Sequence, residues 1–263
     1  MDFLAFANCK NKQARSAQVS RRQPNKKQAH SKDDAGNLSI SDNAKKHAWK
    51  QHYERLLNVE FPWDSDGLSE APPVNGAPRL ITVDMVSKAV SKMKIGKAAG
   101  PSGVVAEILK AAGDLCYPML PDLANAMIHH NEIPSDWENS FIINLYKGDA
   151  LERGNYRGLK LVEQTMKVVE RIVETLIRDS ISIDDMQFGF MLGRGTTDAI
   201  FILRKLQEKH LDRKLPLYFA FVDLEKAFDL VPRKVIWWAM RKLGVEEWLV
   251  KLVQAMYSMP EVK

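Results

Sequence analysis

LYFAFVDLEKAFDLVPRK, residues 217–234, opens with six consecutive apolar or aromatic residues, Leu217 to Val222, and then breaks on Asp223. A run of strand length with no polar alternation is buried on both faces, so it is expected as a central strand of a sheet. Asp223 then stands at the strand tip, rigidly held. Asp229 follows six residues later, and Pro232 closes the turn before a helix expected over Val235–Leu243. Two readings of Asp223 stay open on the residues alone. It is a turn or cap acid, or it is an oxygen ligand at the end of a core strand, where Mg²⁺ sites are commonly built.

Upstream, the clearest helix runs from Leu161 to Asp179, because Val162, Met166, Val169, Ile172 and Leu176 advance by four, three, three and four. Ahead of it, FIINLY (residues 141–146) reads as a short strand. QFGFMLGRGTTDAIF differs in kind: Gly189, Gly193 and Gly195 surround Phe190 and Arg194, and Thr196 or Thr197 can cap a helix from Asp198 to about His210. A loop that rich in glycine brings backbone close to a ligand. Further towards the N-terminus, Val83, Val86, Val90 and Met93 share a helical face that stops at Gly96. KAAGPSG then interrupts any helix, with Ser102 available to cap the next one, VVAEILKAAG. His129 and His130 end the following helix and are adjacent, not four apart, which favours helix-end histidines over a metal site.

Residues 62–79 hold Pro62, Pro72, Pro73 and Pro78 and read as a linker, and Ser41 or Asp42 caps a helix carrying Trp49, Tyr53, Leu56 and Leu57. Residues 1–32 carry eight Lys or Arg against the single acid Asp2, too little apolar surface to offset the entropy of ordering. That leader is expected to be disordered, either a solvated tail or a weak RNA- or DNA-binding arm through Arg22, Lys26 and Lys27.

The balance of the 263 residues, 45% hydrophobic and 27% charged, excludes collagen, mucin stalks and wholly disordered chains. No stretch reaches the roughly 18 apolar residues of a spanning helix, and MDFLAFANCKNK has no cleavage-site pattern, so the chain is expected to be intracellular, in nucleus or cytoplasm, with no membrane partner. The two cysteines, Cys9 and Cys116, lack a partner at metal-ligand spacing. A metal must therefore be held by oxygen. The net charge of +5 permits a phosphate-rich partner without demanding one.

FVDLEKAFD resembles the first catalytic motif of reverse transcriptases, and the chain from about Gly36 onward resembles the front half of the reverse transcriptase of non-LTR (LINE-type) retrotransposons. AWKQHYERLLN, KAAGPSGVVAEILKAAG, NYRGLKLVEQTMKVVERIV, QFGFMLGRGTTDAIFILRKLQEK and FVDLEKAFDLVPRKVIWWAMRKLGV occur in that family's order. The resemblance implies an RNA-directed DNA polymerase, a nucleotidyltransferase working with an RNA template, a DNA primer and dNTP through two Mg²⁺ ions. It assigns a metal-binding role to the Asp223 side chain and the Leu224 carbonyl. Phe228 takes the place of the ring that excludes a 2′ hydroxyl. Arg157 and Lys147 take that of the cations gripping the triphosphate, a task suited to the planar donors of Arg. Gln187, Phe188, Gly189 and Phe190 take that of the segment beneath the templating base.

The fold implied is α+β, mainly helical, a partial polymerase right hand. Its parts are a basic leader (1–40), a helix and Pro/Gly-rich linker (41–80), fingers (81–215) and the beginning of the palm (216–263). Three departures from the family pattern stand out. The sequence ends before the Tyr-Ala-Asp-Asp block, so it reads as C-terminally truncated and inactive alone. YKGDALERGNYR is two residues and one lysine shorter than usual. Met191, Leu192 and Leu230 replace common family residues. The competing reading is a decayed, non-catalytic remnant that only binds nucleic acid, and the reading frame beyond Lys263 discriminates the two.

Overall fold

Seven buried residues on one helix, Met166, Val168, Val169, Ile172, Val173, Leu176 and Ile177, anchor the core of the computed structural model. The model describes residues 31–32, 38–39, 41–58, 67–146, 156–224 and 230–257. In chain order the elements are β1 (Ser31–Lys32), β2 (Leu38–Ser39), α1 (Asp42–Asn58), α2 (Val83–Ser91), α3 (Ala106–Ala112), α4 (Met119–His130), β3 (Phe141–Tyr146), β4 (Tyr156–Leu161), α5 (Gln164–Ser180), α6 (Thr196–Asp212), α7 (Arg233–Lys242) and α8 (Glu247–Tyr257). Short 3₁₀ turns at Gly113–Leu115 and Ser135–Trp137 flank α4. The described part is mainly helical, with two antiparallel two-stranded ribbons, β1–β2 and β3–β4.

Local chemistry sets the helix ends. The Ser41 hydroxyl accepts from the Ala44 amide at 3.2 Å and caps α1, and Thr82 does the same for Met85 at the start of α2. Asn131 closes α4 in the left-handed region, at φ 54°. α2 buries Val86 and Val90 against α3, α4 and α5, while α8 packs on α4 and α7 and buries Leu249, Val250, Leu252 and Val253. Each such aliphatic side chain contributes about 1.5–3 kcal/mol by leaving water, which makes these helix–helix contacts a main source of stability.

Several expectations change. Leu217–Val222 is not a strand: it is irregular, and Tyr218, Phe221 and Val222 stand 82–89% exposed. A strand needs a neighbour to accept its backbone bonds, and among the described residues none runs beside it. The helix expected from Leu161 begins at Gln164, and Leu161 instead ends a strand, β4, that was not expected. Ser102 does not cap α3, which starts at Val105 without a side-chain cap. Thr196 and Thr197 lie inside α6, and the Asp198 carboxylate accepts from the Gly195 amide at 2.7 Å to close its first turn.

The described part of the expected linker is an extended strap. Ser69 O accepts from Trp238 Nε1 at 2.7 Å, and Val74 O accepts from the Glu247 amide at 2.8 Å, fastening it to α7 and α8. Within the stretch expected to be a disordered leader, β1 pairs with β2, Ser31 opposite Ser39 and Lys32 opposite Leu38. Arg22, Lys26 and Lys27 lie outside the described residues.

Candidate nucleotide and nucleic-acid site

Arg157 sits on β4 directly opposite Leu145 of β3, and it is exposed. Alternation puts Phe141, Ile143 and Leu145 on one face with their partners Leu161, Leu159 and Arg157. That face is open: Phe141 and Ile143 are 46% and 44% exposed. The other face lies under α1. The Tyr53 hydroxyl donates to Asn144 Oδ1 at 2.6 Å, and the Trp49 ring meets Tyr156 edge-on with centroids 5.0 Å apart. Gly158 lets the Tyr53 ring approach, since a Cβ there would lie 2.7 Å from Tyr53 Cε1. Among the described residues the ribbon thus has one face covered by α1 and one partly exposed face, with the Arg157 guanidinium next to the Tyr146–Tyr156 pair.

Gln187, Phe188, Gly189 and Phe190 form a half-buried loop after α5. Gln187 Nε2 donates to Gly189 O at 3.1 Å, and Phe190 takes the left-handed conformation at φ 60°. Arg178 fastens the loop to the end of α5: its Nη2 donates to Phe190 O at 3.3 Å while its Nε bonds Glu174 Oε1 at 3.1 Å. Asp185, on the approach to the loop, pairs with Arg194 on its far side at 2.5 Å. At about 1.5 Å per residue, α5 separates the β4 end from this loop by roughly 25 Å, so Arg157 and the Gln187–Phe190 loop lie towards opposite ends of one helix.

Asp223 and Leu224 are exposed and follow the irregular segment. Among the described residues no group of three or more His, Cys, Asp or Glu is placed to hold a metal ion. Among the described residues Asp223 and the Leu224 carbonyl are the oxygens at this position, whereas a pair of dications needs several charged oxygens at short range; Asp229 lies outside the described residues. Lys147 and Phe228 lie outside the described residues. His129 and His130 meet edge to edge at the exposed end of α4.

Sequence reasoning missed one polar junction. Glu163, 4% exposed, precedes α5, and its carboxylate accepts from the Ser102 amide at 2.7 Å and the Ser102 hydroxyl at 2.5 Å. Its neighbour Gln164 donates from Nε2 to Ala98 O at 2.7 Å. One turn further, burial pushes the Lys167 ammonium below its ordinary value of 10.5, against the opposing pull of Glu170 and Glu163. The one signal in the sequence is an acid directly after the apolar Val162, in the first turn of the helix read from Leu161.

Residues 145–263 match the family model described as reverse transcriptase (RNA-dependent DNA polymerase). The chain is 26% identical over 188 residues to the probable RNA-directed DNA polymerase from transposon BS of Drosophila melanogaster, covering 69% of this chain and 20% of that protein. It is also 26% identical over 195 residues to the retrovirus-related Pol polyprotein from type-1 retrotransposable element R1 of Bradysia coprophila, covering 69% and 19%. To the RNA-directed DNA polymerase from mobile element jockey of Drosophila melanogaster it is 24% identical over 157 residues, covering 57% and 17%. The chain spans about a fifth of the length of the curated relatives it matches.

Proposed function

We propose that the chain supplies the fingers and the beginning of the palm of an RNA-directed DNA polymerase that copies RNA into DNA, because residues 145–263 match the reverse transcriptase family model and the matched relatives are polymerases and Pol proteins of non-LTR retrotransposons. The observation that carries this reading is the family match over a segment that contains Arg157, the Gln187–Phe190 loop and Asp223 in that order. Its substrates are then an RNA template, a DNA primer and dNTP, in the nucleus or cytoplasm. No helix among the described residues is long and apolar enough to cross a membrane.

Each residue has a task under this reading. Arg157 offers a flat fork of donors to a triphosphate from the open end of the ribbon, with Lys147 beside it in sequence order as a second cation. The Gln187–Phe190 loop, held from behind by Arg178, presents backbone and the Phe190 ring to the templating base. Phe228 places a ring against C2′ and disfavours a ribose hydroxyl. Arg22, Lys26 and Lys27 add sequence-independent attraction to RNA. Asp223 and the Leu224 carbonyl are the chain's contribution to Mg²⁺ binding.

A second reading is a remnant that only binds nucleic acid, since among the described residues no group of three acids is placed to hold a metal ion. Primer extension decides between activity and binding. The purified polypeptide with primed RNA, dNTP and Mg²⁺ is expected to bind the RNA without extending the primer. Sustained extension abolished by Asp223→Ala overturns the inactivity, and the absence of any RNA affinity overturns the fingers reading.

A further inference from the structure

Glu163 is the buried carboxylate that nothing in the proposed chemistry uses. It stands between β4, which carries Arg157, and α5, and it reaches away from its own helix to the Ser102 amide and hydroxyl across 61 positions of sequence. The loop it holds is built for the approach. Gly100, Pro101, Ser102 and Gly103 form a turn closed by the Gly103 amide on Gly100 O at 3.1 Å, and the Ser102 hydroxyl also accepts from the Val104 amide at 3.2 Å. Gly100 lies against the junction itself: a Cβ there would be 2.8 Å from Glu163 N and 2.8 Å from Val162 C, which are backbone atoms and cannot swing aside. Gln164 adds the bond to Ala98 O.

We propose that Glu163 is a positioning residue: its carboxylate fastens the 97–103 loop to the β4–α5 junction and so fixes the strand that presents Arg157. The proposal rests on the reading of Arg157 as a triphosphate-binding cation. The physical case is one of leverage. Arg157 is four residues from the end of β4, about 13 Å along the strand, and it is exposed on the face it shares with the half-buried Leu159 and Leu161. The direction of the strand is set near Arg157 by β3 and by Trp49 against Tyr156, and at its other end by the β4–α5 junction. Two charge-assisted bonds, a glycine contact and the Gln164 bond meet at that point. Removing the carboxylate takes from the Ser102 amide and hydroxyl the acceptor that ties them to the junction, and the exposed Ser102 would exchange both bonds for bonds to water.

The test uses the full 263-residue chain. Amide exchange at Ser102 and at Leu159–Leu161 of β4 is followed in the wild type, Glu163→Ala and Glu163→Gln, together with affinity for inorganic tripolyphosphate in these proteins, in Arg157→Ala and in the double variant. Glu163→Ala is expected to speed exchange at both places about tenfold or more, with the interior of α5 still protected. Glu163→Gln, which keeps an acceptor oxygen, should restore most of the protection. Tripolyphosphate affinity should fall in Glu163→Ala by about as much as in Arg157→Ala, and no further in the double variant. Unchanged exchange in Glu163→Ala overturns the proposal, as does loss of protection throughout α5 in both Glu163 variants, or strictly additive effects on affinity. If Arg157→Ala leaves tripolyphosphate affinity intact, the triphosphate reading of Arg157 falls, and the exchange pattern alone decides the role of Glu163.

Discussion

Two glycines separate what a side chain can accommodate from what backbone cannot. At Gly158 an added Cβ meets Tyr53 Cε1 at 2.7 Å and Ile142 Cγ2 at 3.1 Å, both side-chain atoms, though the Tyr53 ring is held by its bond to Asn144. At Gly100 the obstructing atoms are backbone, at 2.8 Å. Neither position takes a left-handed φ, so the argument is purely one of space. Gly158→Ala is expected to cost about 1–3 kcal/mol as the ring shifts, and Gly100→Ala more than that, because the loop must lift off the β4–α5 junction. Urea melts of the two variants check the order, and a Gly100→Ala protein as stable as wild type would mean that the loop is not seated as described. Tyr53→Phe, which leaves Asn144 Oδ1 without its donor, should lose about 1 kcal/mol.

The pair α7–α8 is joined by a fork. Arg241 Nε and Nη2 donate to the two oxygens of Glu247 at 2.8 and 2.7 Å, across the turn where the Glu247 amide also reaches Val74 O. The bonds from Arg241 hold the Glu247 carboxyl below its ordinary value of 4.5. A carboxyl lowered by folding stabilises the fold above its unfolded value and loses that contribution as pH falls through the folded one. Arg241 stays protonated throughout. The melting temperature should therefore drop more steeply between about pH 5 and pH 3 in the wild type than in Glu247→Gln, and parallel curves would show that the fork carries no measurable stability. The sequence reading ends with the helix Val235–Leu243 and does not include α8, although Trp248, Leu249, Leu252 and Val253 recur at helical spacing. By contrast α2, α5 and β3 were legible because their apolar periods are uninterrupted. β4 was not: Arg157, Gly158 and Lys160 break the strand pattern, and what makes it a strand is pairing with β3 across the intervening residues. The same dependence on a partner acts in the opposite direction at Leu217–Val222, whose composition is that of a buried strand while among the described residues no strand pairs with it. Of the candidate site, Arg157, the Gln187–Phe190 loop and Asp223 could be named from sequence, but Glu163, Ser102 and Arg178 could not, since their roles are long-range hydrogen bonds that no local pattern encodes.

Taken across its surface, the described protein has two kinds of stickiness that respond to salt in opposite ways. One is cationic, with a net charge of +5 over the chain and eight Lys or Arg in residues 1–32. The other is apolar: Ile200, Phe201 and Leu206 on α6, a helix with no buried residue, and Tyr218, Phe221 and Val222 beyond it, all exposed. A run of exposed aromatic and branched side chains that close together favours association between copies. Charge-driven binding to RNA weakens as salt rises, each phosphate neutralised on a single strand contributing about 0.7 to the log-log slope. Apolar association does not weaken, and excluded salts such as sulfate strengthen it. The 263-residue polypeptide is accordingly expected to self-associate at micromolar concentration, with sedimentation showing more association in sulfate than in dilute buffer. Replacing Tyr218 and Phe221 by serine should reduce that association without changing the salt slope for RNA, whereas deleting residues 1–32 should lower the slope and leave association in place. A wild-type chain that stays a single monomeric species in sulfate would show that the exposed segment finds cover within its own copy. If the serine variants and the deletion each moved both measurements together, one surface rather than two would be at work.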